Sequence, residues 1–306
     1  MASKDANLPE EEQIPPRNFY IFGQGIAFSM SPTIQNASFR HYHLPYTYAI
    51  HEAASVDELS PLIHSPSFGG ASITTPHKVA ITKYCSSISE HAKNIGAINT
   101  LIRDKTASSA NGNVIRGDNT DWKGLVGVLE QRAEKLSNKR LKTALVIGAG
   151  GASRAALYAL HQFGCETIFL SNRTRATAED IAQSFAFLFK IILADSLEDF
   201  SKDTAPDILI GTIPADKTTI DSFPRALFAK TEGITVDMSY NPRYTPLLAA
   251  TEKYGEGRWG TASGIDVLLE QALTQFWLFT GKTAPKEVMW DAINKADEEK
   301  KKALEN

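Results

Sequence analysis

The sequence predicts an α/β protein of two domains, the second built on a parallel sheet, and three observations predict it. A chain of 306 residues that is 42% apolar is long enough for two ordinary cores. After Leu141, strand-like apolar runs alternate with helical ones: TALVI, AALYALHQFG, ETIFL, AEDIAQSFAF, DILIG, GITVD. Repeated strand, helix, strand units pack as a parallel sheet covered by helices. The stretch before residue 122 alternates too, less regularly, and reads as a separate α/β domain.

Residues 1–16, MASKDANLPEEEQIPP, are polar, acidic and closed by two prolines, which predicts a flexible tail. NFYIFGQGI reads as a strand ending in a glycine-rich turn, and SPTIQNASFRHY as a helix from its apolar spacing. YTYAIHEA is a second strand and DELSPLIHS a short irregular helix. FGGASIT is a third strand entering TPHK, where Thr75 reads as a cap and Pro76 as the first residue of a helix that carries Lys78 in its first turn. KVAITKYCSSISEHAKNIG reads as one or two helices, AINTLIRD as a strand, and GNVIRGDNTDW as a strand and turn leading into helical GLVGVLEQRA. EKLSNKRL is a charged turn, after which the second domain, 123–263, takes over. GIDVLLEQALTQFWLFTG is an amphipathic helix stopped by glycine, and DEEKKKALEN trails into solvent.

Composition excludes several function classes. Cys85 and Cys165 are the only cysteines, in no CxxC pair and at no ligand spacing from a histidine, so neither a disulfide framework nor a metal site is expected. With 32 basic against 35 acidic residues the net charge is −3, no footprint for a nucleic acid. No apolar run approaches the ~20 residues needed to span a bilayer, and no signal-peptide pattern opens the chain. The expectation is a cytoplasmic protein in a reducing compartment, monomer or homodimer, with no membrane partner.

VIGAGGASRA leaves a strand and opens a helix, the context a dinucleotide-binding glycine loop needs. Gly148 and Gly150 allow a tight turn and close approach of a pyrophosphate, Ala149 and Gly151 belong to the same turn, and small Ala152 and Ser153 let the helix approach the sheet. The helix amino end supplies N–H groups and partial positive charge. The next strand ends in SNRTR where an NAD site would want a carboxylate for the ribose 2′-OH. Asn172, Arg173, Thr174 and Arg175 offer donors and charge to a 2′-phosphate instead, favouring NADP over NAD. In GTIPA, Thr212 and Pro214 leave a parallel strand on the ligand edge and are candidates to line the nicotinamide.

Four polar segments have no evident structural role, namely SMSP (29–32), ASITTPHK (71–78), GAINT (96–100) and GDNTDWKG (117–124). Together with GAGGAS, SNRT, DMSYNPRYTPLL and LLEQALTQFWLFTG, in this order over residues 19–281, they resemble the shikimate/quinate 5-dehydrogenase family, and NTDW and QFWLFTG resemble its fungal branch. The resemblance implies a substrate domain, 17–122, completed by 264–306, facing a Rossmann-like nucleotide domain across a cleft. It implies reversible NADP-dependent reduction of 3-dehydroshikimate, with quinate as the nearest other substrate, and a non-catalytic sensor of the same fold as a reading from another class. It places Lys78 and Asp121 at the reacting centre. Ser29, Ser31, Thr74, Asn99, Tyr240 and Gln271 fall on a hydroxylated cyclohexane or cyclohexene carboxylate, and Gly264 near the cofactor.

The residue types suit those roles. Ser29 and Ser31, two apart, can turn both hydroxyls to one side of an extended segment and donate to a ring carboxylate; Ser31 before Pro32 could equally be an N-cap. Tyr240, Asn99, Gln271 and Thr74 add donors and acceptors for buried hydroxyls. Opposed effects act on Lys78: a helix start and burial disfavour its ammonium, a paired Asp121 favours it. Direct proton transfer, a relay and an electrostatic role all fit. His77 reads as structural, and Trp122, Trp259 and Trp277 as packing. Departures from the family pattern are Phe28 before Ser29, Ser72 in SIT, and Asp266 in GIDVLLEQ.

Overall fold

The computed structural model describes residues 14–109 and 112–305, so most of the expected tail lies outside it. The elements are β1 Arg17–Gly23, α1 Ser31–His41, β2 Tyr46–Glu52, α2 Ser60–Ile63, β3 Phe68–Ile73, β4 Ser87–Ile88, α3 Glu90–Ile95, β5 Thr100–Ser109, β6 Gly112–Asp118 and α4 Asp121–Ala133. They continue with β7 Thr143–Ile147, α5 Gly151–Phe163, β8 Thr167–Ser171, α6 Arg175–Phe185, β9 Ile191–Ala194, β10 Ile208–Gly211, β11 Gly233–Asp237, α7 Pro246–Gly255, β12 Trp259–Ala262, α8 Gly264–Thr280 and α9 Lys286–Glu305.

These elements make two α/β domains. The second is the simpler: strands in the order β12-β11-β10-β7-β8-β9, every pairing parallel. Both faces are covered, as a parallel sheet requires. On β7, Ala144 and Val146 point into the core under α4 and α5, while Leu145 and Ile147 point into the opposite core with Leu209, Leu227 and Leu247. The order turns back between β7 and β10, so the loops leaving their carboxyl ends diverge and open a crevice there.

The first sheet is mixed, in the order β2-β1-β3-β5-β6-β4, with β5 antiparallel to both β3 and β6. One face buries Phe22, Phe68, Ile73, Leu101 and Ile115. The other buries Phe19 and Ile21 against α1 and against Ile265, Leu269, Phe276 and Phe279 of α8 and Met289 and Ile293 of α9. Late segments thus finish a core begun at residue 19. The boundary expected at 122 falls inside α4, which packs on both α5 and α8. An added Cβ at Gly124 would lie 2.8 Å from the Val267 carbonyl oxygen and the Gln271 nitrogen, so only glycine lets α4 and α8 approach this closely.

Several expectations need correction. The TPHK segment is no α-helix: residues 75–79 form turns, the Thr75–Pro76 peptide is cis, and a short 3₁₀ helix, Ala80–Tyr84, starts only after Lys78. Of the DEEKKKALEN stretch, residues 297–305 do not trail off but continue α9, and Asn306 lies outside the described residues. Trp277 is 57% exposed, while Trp122 packs among His91 and Tyr158, and Trp259 is buried. Asp266 serves the start of α8, where its carboxylate caps Ser263 and pairs with Arg132 at 3.1 Å. Among the described residues no helix is long and apolar enough to cross a membrane.

Candidate active site

Two cavities lie at the carboxyl edges of the sheets. The first, about 180 Å³, is lined by Ser29, Ser31, Thr74, Lys78, Asn99, Asp121, Tyr240 and Gln271, the whole set expected around a ring acid and its reacting centre. Ser72, Met238 and Gln275 also line it, as do Ala152 and Gly264, two residues expected at the cofactor.

Lys78 donates to the Asp121 carboxylate at 2.5 Å, both side chains 12% exposed. Asp121 opens α4, where the helix's partial positive charge favours a carboxylate. Its other oxygen accepts from Asn99 Nδ2 at 2.8 Å. The helix-start effect expected on Lys78 does not act, because no α-helix begins there; instead the backbone is pinned by Ile98 N–H donating to the Lys78 carbonyl at 2.7 Å. His77 holds the same turn: its ring Nε2 lies 2.9 Å from the Ala53 carbonyl and is buried away from the cavity.

Ser29 and Ser31 do not sit on an extended segment. A turn follows β1, Ser31 is the first residue of α1 after Met30 as N-cap, and the Ser31 N–H donates to Ser29 Oγ at 3.3 Å. Both hydroxyls still face one cavity. Tyr240 stands over them, its phenol pushed up in pKa by burial and drawn back by the Ser29 hydroxyl, and its ring meets Phe28 edge-on at 5.8 Å. Gln271 accepts from Thr120 Oγ1 at 2.8 Å and donates to the Leu268 carbonyl, leaving one N–H for a ligand.

The second cavity, about 630 Å³, is lined by Gly148, Asn172, Arg173 and Pro214 together with Asp195, Ser196 and Lys217. Gly148 has φ +109°, and an added Cβ would meet Thr212 Oγ1 at 2.5 Å, so the turn excludes any other residue. Gly150 caps α5 without a side-chain hydrogen bond, and a Cβ there would meet nothing within 4 Å. The α5 amino end is therefore open to an anion, the fit a dinucleotide pyrophosphate needs. Ala149, Thr174 and Arg175 do not line this cavity; Arg175 is held by Glu179 and Asp195. Thr212 turns its hydroxyl to the Ile147 carbonyl at 2.9 Å. Gly151 joins the two sites: its added Cβ would sit 3.7 Å from Lys78 Cδ.

Sequence reading missed Gln275, Tyr48 and Lys217. Gln275 follows Gln271 by one helical turn and shares its face, a signal that was available; Lys217 follows a strand exit within PADK. It also missed Asp237, which ends β11 at 4% exposure. Burial pushes its carboxyl up to about 6 from 3.8, against the hydrogen bonds of Thr245 and the Ser239 N–H. A raised acid stabilises the fold in its protonated form, fully below pH 3.8, and that contribution is lost as pH rises through 6. Asp237→Asn is expected to raise stability at pH 8 by about 1–3 kcal/mol and to flatten its decline between pH 4 and 6. Urea midpoints at pH 5 and pH 8 measure both; equal gains at the two pH values would rule the titration out.

Comparison with known proteins agrees with this architecture. Residues 21–101 match the shikimate dehydrogenase substrate binding domain, 130–243 the shikimate/quinate 5-dehydrogenase domain and 264–293 the shikimate 5′-dehydrogenase C-terminal domain. The pentafunctional AROM polypeptide of Malassezia globosa is 38% identical over 281 residues, 89% of this chain and 17% of that protein, so the chain spans under a fifth of that relative's length. A shikimate 5-dehydrogenase from Mycobacterium fortuitum is 30% identical, with a TM-score of 0.74 over 91% of this chain and 98% of that one. The Thermus thermophilus shikimate 5-dehydrogenase solved with NADP(H) and shikimate is 26% identical, with a TM-score of 0.74 over 92% and 99%. Near-complete alignment with a relative of like size, and the order of the three matched segments, lead to one assignment: the chain belongs to the shikimate/quinate 5-dehydrogenase family.

Proposed function

We propose that the chain catalyses reversible, NADP-dependent reduction of 3-dehydroshikimate to shikimate. The observation that carries this reading is the Lys78–Asp121 pair, set in a small polar cavity against the glycine turn that opens α5. In the reducing direction the Lys78 ammonium gives a proton to the ketone oxygen while the carbonyl carbon gains a hydride; in oxidation the neutral amine takes the hydroxyl proton back. The α5 glycine turn with Asn172 and Arg173 would hold a nicotinamide cofactor, which would supply or accept that hydride. Asp121 holds Lys78 on the reacting oxygen, Ser29, Ser31 and Tyr240 donate to the ring carboxylate, and Thr74, Asn99 and Gln271 satisfy ring hydroxyls. The cavity, about 180 Å³, suits a small ring acid rather than a polymer.

Arg173 and Lys217 at the second cavity support NADP over NAD, since among the described residues lining it the one carboxylate that would repel a 2′-phosphate, Asp195, is paired with Arg175. Residues 17–122 with 264–306 form the proposed substrate domain and 123–263 the cofactor domain. Higher identity to the Malassezia globosa relative than to the bacterial enzymes supports placement in the fungal branch.

Initial rates with shikimate and quinate, each offered NADP and NAD, test the reading. The highest kcat/KM is expected for shikimate with NADP. Preference for NAD would overturn the cofactor assignment and preference for quinate the substrate assignment. Tight binding of a ring acid without turnover would make the chain a sensor.

A further inference from the structure

The Lys78–Asp121 pair stands at the end of a line of buried hydrogen bonds that reaches the far edge of the first sheet. Tyr48 on β2 donates its phenol proton to Ser72 Oγ on β3 at 2.5 Å, spanning the intervening strand β1. Ser72 donates to Gln275 Oε1 at 2.9 Å, and Gln275 Nε2 to Thr100 Oγ1 at 2.9 Å. Thr100 donates to Asn99 Oδ1 at 2.6 Å, and Asn99 Nδ2 to Asp121 Oδ1 at 2.8 Å. Tyr48, Ser72, Gln275, Thr100 and Asn99 are each at most 5% exposed.

Every member donates in one direction. A hydroxyl has one proton, so Ser72 and Thr100 can each donate only once. Tyr48 donating inward directs the Ser72 proton to Gln275, which fixes the Gln275 amide with its oxygen toward Ser72 and its nitrogen toward Thr100. That sends the Thr100 proton to Asn99 Oδ1 and leaves Asn99 its NH₂ for Asp121. The Thr120 N–H, donating to Asn99 Oδ1 at 2.7 Å, supports the same orientation. An inverted Asn99 would set its oxygen against the carboxylate, repelling the group that positions Lys78.

We propose that Thr100 and Gln275, oriented by Ser72 and Tyr48, are positioning residues that hold the Asn99 amide nitrogen on Asp121 and thereby aim Lys78. This rests on the proposed reaction, because it assigns their effect to the proton-transfer pair.

Thr100→Val and Gln275→Met keep volume and remove the link, while Thr100→Ser restores the hydroxyl. In the full chain, each of the first two is expected to lower kcat about 10- to 100-fold, the scale of a misplaced reacting group, with KM within about threefold. Thr100→Ser is expected to stay within about threefold of wild type. Because both act through one line, the double variant should lose no more than the worse single one. Wild-type kcat in Thr100→Val and Gln275→Met, or losses that multiply, would overturn the proposal. A second readout needs no turnover: the Asn99 side-chain amide protons, observed by NMR, should resist solvent exchange in wild type and Thr100→Ser and lose that protection in Thr100→Val. Unchanged protection in Thr100→Val overturns the proposal too. An inactive wild type would sink the proposed reaction, while the exchange data would still decide the orientation.

Discussion

Replacing Lys78 by alanine is expected to slow single-turnover hydride transfer by about 100- to 10,000-fold, the usual worth of a positioned acid or base. Its Nζ donates to Asp121 at 2.5 Å and its side chain lies against Gly151, at the junction of the two sites. Ring-acid affinity should change far less, because Ser29, Ser31, Tyr240 and Gln271 remain. Stopped-flow absorbance with saturating ring acid and cofactor measures the first quantity and calorimetry the second. Transfer at near the wild-type rate would remove Lys78 from the chemistry and leave Asp121 as an ordinary buried carboxylate. A parallel loss in binding and rate would make Lys78 a substrate ligand instead.

Phe276→Ala should cost about 3–5 kcal/mol, as large-to-small changes of buried aromatics do. The ring is fully buried, 6.0 Å from Phe39 and 5.7 Å from Tyr42, between α8 and α1. The location of the loss is more informative than its size. If residues 264–306 complete the first domain, amide exchange should quicken in β1, β2 and β3 and stay slow in β7 and β10. Faster exchange confined to β7–β12 would assign α8 to the other domain.

The second domain was legible because a parallel sheet is buried on both faces, so each strand reads as an uninterrupted apolar run between helical stretches. The short strands β4, β9 and β12 were not singled out, since two to four residues carry no periodicity to count. Thr75–Pro76 misled for a definite reason: a threonine before proline matches a helix start, but propensity cannot register the tertiary contact of Ile98 that holds the segment as turns. At the site, chemistry was easier to read than geometry. Lys78, Asp121 and the six expected ligands line one cavity, whereas Arg175, two residues beyond Arg173, turns to Glu179 and Asp195. Tyr48 escaped notice because its link to the site runs through Ser72 and Gln275, partners 203 residues apart in sequence.

That α8 and α9 finish a core begun at Phe19 also sets a timetable for synthesis. The face of the first sheet that carries Phe19 and Ile21 has α1 against it early but lacks the rest of its cover until Ile265 and the residues after it have been made. At roughly 5–20 residues per second, that is a wait of about 12–50 seconds. The parallel sheet of residues 143–262 completes its strands inside that interval. The domain begun first therefore closes no earlier than the one begun second, because both cores draw on α8.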